Sequence, residues 1–318
     1  TLNLLMPTAV VADTATGGAM GDVDPAAPLL LRTAVADRFL HGASDPIVHT
    51  MIGERFPCHR DRIVAVADRV VTEHLVDRRL HDAIAAQDPA LGWEPQRQQW
   101  LVRIAQAWAL SGDPRYANTC VAAIDAWQDQ HAAAHDGGAA SSADVAGRVL
   151  SWCWVLTLLR NAGDIPDRWF VRVLATLRGH ATHVQHSLSH NGQPPTQATT
   201  SALALFYAGS LFREWPESAH WREMGMRMLA SQSEVQISAD GVHFEQSTCF
   251  HAYTADVYLH FLLLARRNGL HVPPAVLQRV ERMFDFLLAI RRPDGSIPAI
   301  GDADGGSLLP LAAPPMFD

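Results

Sequence analysis

From about Leu30 to Ile290 the sequence repeats one pattern: apolar residues recur at three- and four-residue steps, and each run is closed by glycine, proline or an aspartate-rich turn. That spacing sets the apolar side chains on one stripe of an α-helix, whereas a half-buried strand needs strict alternation, which is nearly absent here. The spacing predicts helices over Ile63–Val76, Gln98–Leu110, Pro114–Gln130, Ser142–Leu159, Pro166–Leu188, Thr199–Phe212, Ser218–Val235, Thr248–Arg267 and Pro274–Ile290. Ser111-Gly112-Asp113-Pro114 puts a proline in a first helical turn, Ala162 to Pro166 repeats the device, and Asn268-Gly269 with Pro273-Pro274 closes one helix and opens another. Such a chain buries its stripes helix against helix, so the expected class is all-α. A bundle, a solenoid or a ring of antiparallel hairpins satisfies this pattern. A solenoid should show a repeat of fixed period, and none is visible. Residues 1–29, rich in Ala, Thr, Gly and Val, are expected to be irregular, and residues 30–318 to form one domain.

Composition narrows the partners. Of 318 residues 48% are hydrophobic and 18% charged, enough apolar content for a sizeable core and too little charge for a disordered tail. The net charge is −8 and all 25 cations are arginine, so the net-basic stripe of a nucleic-acid binder is not expected. An anionic sugar is compatible only where arginines gather locally, and Arg97 and Arg148 are the candidates, each equally suited to anchoring helices through an ion pair. Cys58, Cys120, Cys153 and Cys249 show neither C-x-x-C nor a framework spacing and read as buried thiols. No apolar run reaches the roughly 18 residues of a membrane span, Leu259–Ala265 being the longest candidate. The segment Thr1–Asp24 lacks the basic start of a signal peptide. Tryptophans inside helices, such as Trp108, Trp127, Trp152 and Trp169, read as core filling.

The stretch Asp240-Gly241-Val242-His243-Phe244-Glu245-Gln246-Ser247-Thr248-Cys249-Phe250-His251-Ala252-Tyr253, then Leu262 to Gly269, then Arg292 to Gly306, resembles the heparinase II/III-like polysaccharide lyases in order and spacing. Trp93-Glu94, Arg97 to Trp100, Ala107 to Tyr116 and Arg148 to Trp152 extend the likeness to about residues 93–309. The resemblance implies an incomplete α/α toroid, helical hairpins around a sugar-binding groove. Family members usually continue into a β-sandwich that adds a histidine, so this chain is expected to be the toroid domain alone. It further implies an acidic, uronic-acid-containing polysaccharide as partner, a periplasmic or secreted location, and cleavage by β-elimination. A base takes the proton from the carbon bearing the carboxylate, and an acid protonates the departing glycosidic oxygen. Neutralising that carboxylate makes the proton removable, and neither metal nor cofactor is required.

The sequence departs from the family at two places. Where the family has a tyrosine before a histidine, this chain has Phe250 before His251, and a phenyl ring moves no proton. Gln246, Phe250, Tyr253 and Val257 share a helix face, so Tyr253 is the candidate to present a hydroxyl one turn further on, with His251 as the other proton carrier. In the loop Ser189–Ala198, an ungapped count puts the family's Asn on Pro195 and its His on Gln197, whereas an insertion assigns the Asn to Asn191. Gln197 suits carboxylate binding and not base catalysis. His180, His183, His186 and His190 form a ladder on one helix face. Three readings fit it: a solvated face near a helix end, groove-lining groups, or a metal site, though no acidic or thiol ligand lies within the segment. Asp302 belongs to the family loop by the groove. His243 and Glu245 sit beside the site, where Glu245 also suits a helix amino terminus. Besides elimination, the same residues allow a binding or scaffold protein that has lost the chemistry. A hydrolase needs two flanking carboxylates, Glu245 with Asp302 or Asp304 being the one available pairing.

Overall fold

A computed structural model describes residues 35–74, 95–132, 141–190, 193–302 and 307–311. The expected irregular segment 1–29 lies outside them. After a single turn at Ala36–Arg38 come α1 (Pro46–Arg55), α2 (Pro57–His74), a 3₁₀ turn at Pro95–Arg97, α3 (Trp100–Ser111), α4 (Pro114–Ala132), α5 (Ser142–Leu159), α6 (Asp167–His190), α7 (Pro195–Leu211), α8 (Ser218–Gln236), α9 (Thr248–Arg267) and α10 (Pro274–Ile290). Among the described residues the one β feature is an isolated bridge between Ile237 and His243. No helix there is long and apolar enough to cross a membrane.

The helices pair in sequence as α3/α4, α5/α6, α7/α8 and α9/α10. The first member of each pair also packs on the next, α3 on α5, α5 on α7 and α7 on α9. This is the arc of an α/α toroid, with α3, α5, α7 and α9 as the inner row. Burial follows the rank: α5 is buried from Ala143 to Leu159 and α7 from Ala198 to Leu211, while α10 buries only Val276, Val280 and Met283. The inner helices run parallel and in register, because Tyr253 on α9 meets Thr200 on α7 at 2.9 Å and, seven residues on, His260 meets Tyr207 at 2.6 Å.

The carboxy-terminal ends of the inner row are closed by residues 38–44. Phe39, fully buried, wedges edge-on against Trp154 and Tyr207. Around it Arg38 donates to Leu211 O and to both oxygens of Glu214, Arg267 donates to Phe39 O, and Arg160 donates to Ser44 O. Carbonyls left open at helix ends thereby find cationic donors. At the opposite end, Ser141 and Asp144 form a capping box on α5, and Ser247 accepts from Phe250 N–H to cap α9.

One helix and two helix starts differ from the sequence expectation by more than two residues, and α2 begins at Pro57 instead of Ile63. Helix α1 was not foreseen, because its apolar residues do not all turn inward: Ile47 and Met51 are exposed. Helix α7 begins at Pro195 instead of Thr199, since proline at the first helical position has no N–H to leave unpaired. The tightest contact is α7 on α8. A Cβ on Gly225 would lie 2.5 Å from Ala202 O and 2.8 Å from Phe206 N, both backbone atoms that cannot swing aside. Gly225→Ala should therefore destabilise by about 1–3 kcal/mol through overpacking, although alanine is the better helix former by roughly 1 kcal/mol. Urea unfolding followed by far-ultraviolet circular dichroism reads this directly, and an unshifted midpoint would disprove the close approach.

Candidate functional site

The amino-terminal ends of α7 and α9 form one mouth of the arc, held by a short loop. Thr248 N–H donates to Ile300 O at 3.0 Å, Ile300 N–H donates back to Thr248 Oγ1 at 3.0 Å, and Thr248 Oγ1–H reaches Pro298 O at 2.8 Å. Ser247 Oγ–H donates to Asp302 O at 2.5 Å. Gly301 has φ +72°, and a Cβ there would come within 2.7 Å of Gln246 O, so the loop lies this close only as glycine. Asp302 itself is exposed.

Gln246 adopts φ +54°, a left-handed conformation uncommon outside glycine, and its side chain stands in solvent. The other non-glycine residue with positive φ among those described is Gln98, also at +54° and also two residues before an inner helix. Gln98 is buried, and its Oε1 accepts from Trp152 Nε1–H at 2.7 Å. Backbone strain therefore marks the starts of α3 and α9, and of these two glutamines only Gln246 has its amide exposed to face a ligand. Glu245, exposed, accepts from Thr196 Oγ1–H at 2.7 Å and joins the start of α7 to the turn before α9, with exposed Gln197 the next residue along. Phe250 is half-buried, and Tyr253 is 9% exposed with its hydroxyl on Thr200.

The histidines next to this mouth point inward. His251 is 1% exposed: Nε2–H donates to Met283 O on α10 at 3.0 Å, and Nδ1 accepts from His243 N–H at 3.3 Å. Burial lowers its pKa, and with both nitrogens engaged it braces α9 to α10 and has none left for a sugar. His243 is also 1% exposed, and neither ring nitrogen has a hydrogen-bond partner. Burial, and secondarily the neighbouring His251, pulls it down to about 4.

The arginine candidates are occupied too. Arg97 pairs with Asp144 at 3.3 Å. Arg148, 2% exposed, donates to Gln96 O at 3.0 and 2.8 Å and lies over the Trp127 ring at 4.4 Å, and burial brings its pKa down to about 10. Of the ladder, His180 is packed against Trp127 and Trp152, and His183 and His186 are exposed on α6, an outer helix. The His190 side chain and Asn191 lie outside the described residues. No cluster among the described residues could hold a metal ion. The mouth thus gathers Glu245, Gln246, Gln197, Phe250, Tyr253 and Asp302, and leaves His251, His243, Arg97, Arg148, His183 and His186 out of it.

The sequence reading passed over three groups. Thr196 and Thr200 belong to the polar stretch Thr196–Ser201 that opens α7 ahead of its apolar run. Asp256, one turn beyond Tyr253 on α9, is accessible, yet enough protein surrounds its carboxyl that lost hydration pushes it up to about 6. Its signal in the sequence is an aspartate with no arginine three or four positions away.

Comparison with known proteins places this geometry. The family described as Heparinase II/III N-terminus matches residues 51–308. A heparin-sulfate lyase of Pedobacter heparinus is 25% identical over 222 residues, covering 68% of this chain and 33% of that protein. One of Bacteroides stercoris is 23% identical over 238 residues, covering 68% and 35%. The solved structure of heparan sulfate lyase from Pedobacter heparinus superposes with a TM-score of 0.61 at 21% identity, over 86% of this chain and 44% of that one. The chain spans about a third of the length of the curated relatives it matches.

His243, His251 and His260 are all held below the ordinary imidazole value of 6.5, chiefly by burial, His260 to about 4. The unfolded chain then binds more protons than the fold between about pH 6.5 and pH 4, so stability is full above 6.5 and falls as the pH drops towards 4. Melting temperatures across that range should decline on acidification, and His243→Leu should flatten the decline. An unchanged slope in that variant would show that His243 is not held neutral in the fold.

Proposed function

Because the chain belongs to the heparinase II/III family, we propose that it is the helical part of a polysaccharide lyase acting on an acidic, uronic-acid-containing glycan of the glycosaminoglycan kind. What supports this is the exposed edge Glu245-Gln246 with Gln197 and Asp302, assembled at one mouth of the arc by the Thr248 staple, within a stretch whose order follows the family. Such polymers are met outside the cytoplasm, so the same reading has the protein work in the periplasm or beyond the cell.

In this reading Gln246 and Gln197, with Asn191, take the substrate carboxylate through amide N–H groups, which makes the adjacent C–H acidic enough to lose its proton. A base removes that proton, a C=C bond forms, the glycosidic C–O bond breaks, and an acid delivers a proton to the leaving oxygen. Tyr253 carries the proton chemistry, its hydroxyl aligned by Thr200, with Phe250 in the family's tyrosine position. His251 serves as the brace that aims α9. Loss of a positioned acid or base lowers rate about 10²- to 10⁴-fold, so the native activity is weakened or altered. A second reading, a carbohydrate-binding protein without chemistry, draws on Phe250 and on the engaged nitrogens of His251.

Incubation with a panel of uronic-acid polysaccharides separates these readings. New ultraviolet absorbance from an unsaturated product means elimination, reducing ends without it mean hydrolysis, and retention without cleavage means binding alone. Phe250→Tyr should raise elimination by about a hundredfold or more, and Tyr253→Phe should abolish it. Full native activity that survives Tyr253→Phe would remove Tyr253 from the mechanism.

A further inference from the structure

We propose that Arg103, on the inner helix α3, is an anion-binding residue that receives a sulfate or carboxylate group of the glycan. The inference rests on the reading above for the identity of the polymer, and on the structure for the site.

Gln99 Nε2–H donates to Ser307 O at 2.9 Å and to Leu308 O at 2.7 Å, and Gln106 Nε2–H donates to Leu311 O at 3.2 Å. Segment 307–311 is thereby laid along one stripe of α3. Arg103 is four residues after Gln99 and three before Gln106, so it lies on that stripe between the two amides. Its side chain is half-buried and enters no hydrogen bond or ion pair among the described residues. Lost hydration lowers its pKa, and no neighbouring carboxylate offsets the loss. Other described arginines without a partner, Arg55, Arg62, Arg69, Arg168 and Arg266 among them, stand in solvent, where an unpaired guanidinium costs little. Among the described arginines, Arg103 alone combines partial burial with an unfilled five-donor fork.

Drawing a cation from water without pairing it is unfavourable, and a protein of net charge −8 has many carboxylates with which to satisfy one. With the neighbouring amides donating to the carbonyls of segment 307–311, the open fork of Arg103 is the donor set that fits a planar carboxylate or a sulfate. It also supplies what the overall field lacks, since Arg97 and Arg148 are spent on Asp144 and Gln96 O.

The test uses the full chain with inorganic sulfate and glucuronate as separate probes, at constant ionic strength against chloride. The native melting temperature should rise with at least one probe, and which one distinguishes sulfate from carboxylate recognition. Arg103→Gln should lose that rise, Arg103→Lys should keep part of it, and Arg62→Gln, at an exposed position, should keep all of it. Without ligand, Arg103→Gln should melt no lower than native, because the cation has no partner to lose. On a uronic-acid polymer the same variant should raise KM, or weaken retention, about tenfold or more with kcat unchanged. The proposal is overturned if neither probe stabilises the native chain, if the stabilisation survives in Arg103→Gln, or if that variant melts several degrees lower while binding anions normally. Stabilisation that depends on Arg103, together with no interaction with any uronic-acid polymer, would sink the lyase reading and leave the anion site standing.

Discussion

Two hydrogen-bonded rungs, Thr200 with Tyr253 and Tyr207 with His260, hold α7 and α9 parallel and in register, and the mouth of the arc inherits its shape from them. Each rung joins side chains that are buried, where a lost partner costs far more than the bond gains at the surface. A slip of one helix by a turn would break both rungs and would also carry Thr248 away from Ile300. The loop 298–302, the strained Gln246 and the Glu245–Thr196 contact are therefore consequences of helix register, not independent features. Under the proposed function the tyrosine that keys α9 to α7 would also carry the proton, so register and chemistry would share one O–H.

A similar economy governs the histidines. His251 resembles a family catalytic position in sequence, yet its two nitrogens are taken by Met283 O and His243 N–H, so it joins the turn before α9 to α10. With Nε2–H donating and Nδ1 accepting, the ring is neutral, and neutrality is what the low-dielectric setting favours. The brace is strongest in the same protonation state that keeps His243 and His260 buried, so one condition, pH above the imidazole range, satisfies all three.

The helices were legible because a three- and four-residue apolar period has one structural solution, and α5, α9 and α10 begin and end where the punctuation puts them. Helix α1 was not, since Ile47 and Met51 face solvent and blur the stripe. The mouth was legible in part: Glu245, Gln246, Gln197 and Asp302 stand exposed around it. What the sequence could not convey is which way a side chain turns at a helix start. His243 and Glu245 are two residues apart, and one is sealed while the other is open, because His243 is held in the bridge to Ile237 whereas Glu245 lies in the turn that Gln246 N–H closes on His243 O. Nor could it reveal which arginines are committed, since Asp144 is 47 positions from Arg97, and Gln96 is 52 from Arg148.

That commitment gives a share of the arginines a role that lysine would fill poorly. Arg38, Arg148, Arg160, Arg222, Arg267 and Arg282 each donate to a main-chain carbonyl, several of them at helix ends. A guanidinium does this while keeping other donors for a carboxylate or a ring face, as Arg38 does with Glu214 and Arg148 with Trp127. An ammonium offers a single point of charge and gives up more hydration when buried. The arginines thus act as fasteners between elements distant in sequence, and a count of cations overstates the charge open to a ligand. With a net charge of −8, long-range steering would repel the anionic polymer of the proposed function, whose capture would then depend on short-range contacts, where geometry outweighs the field.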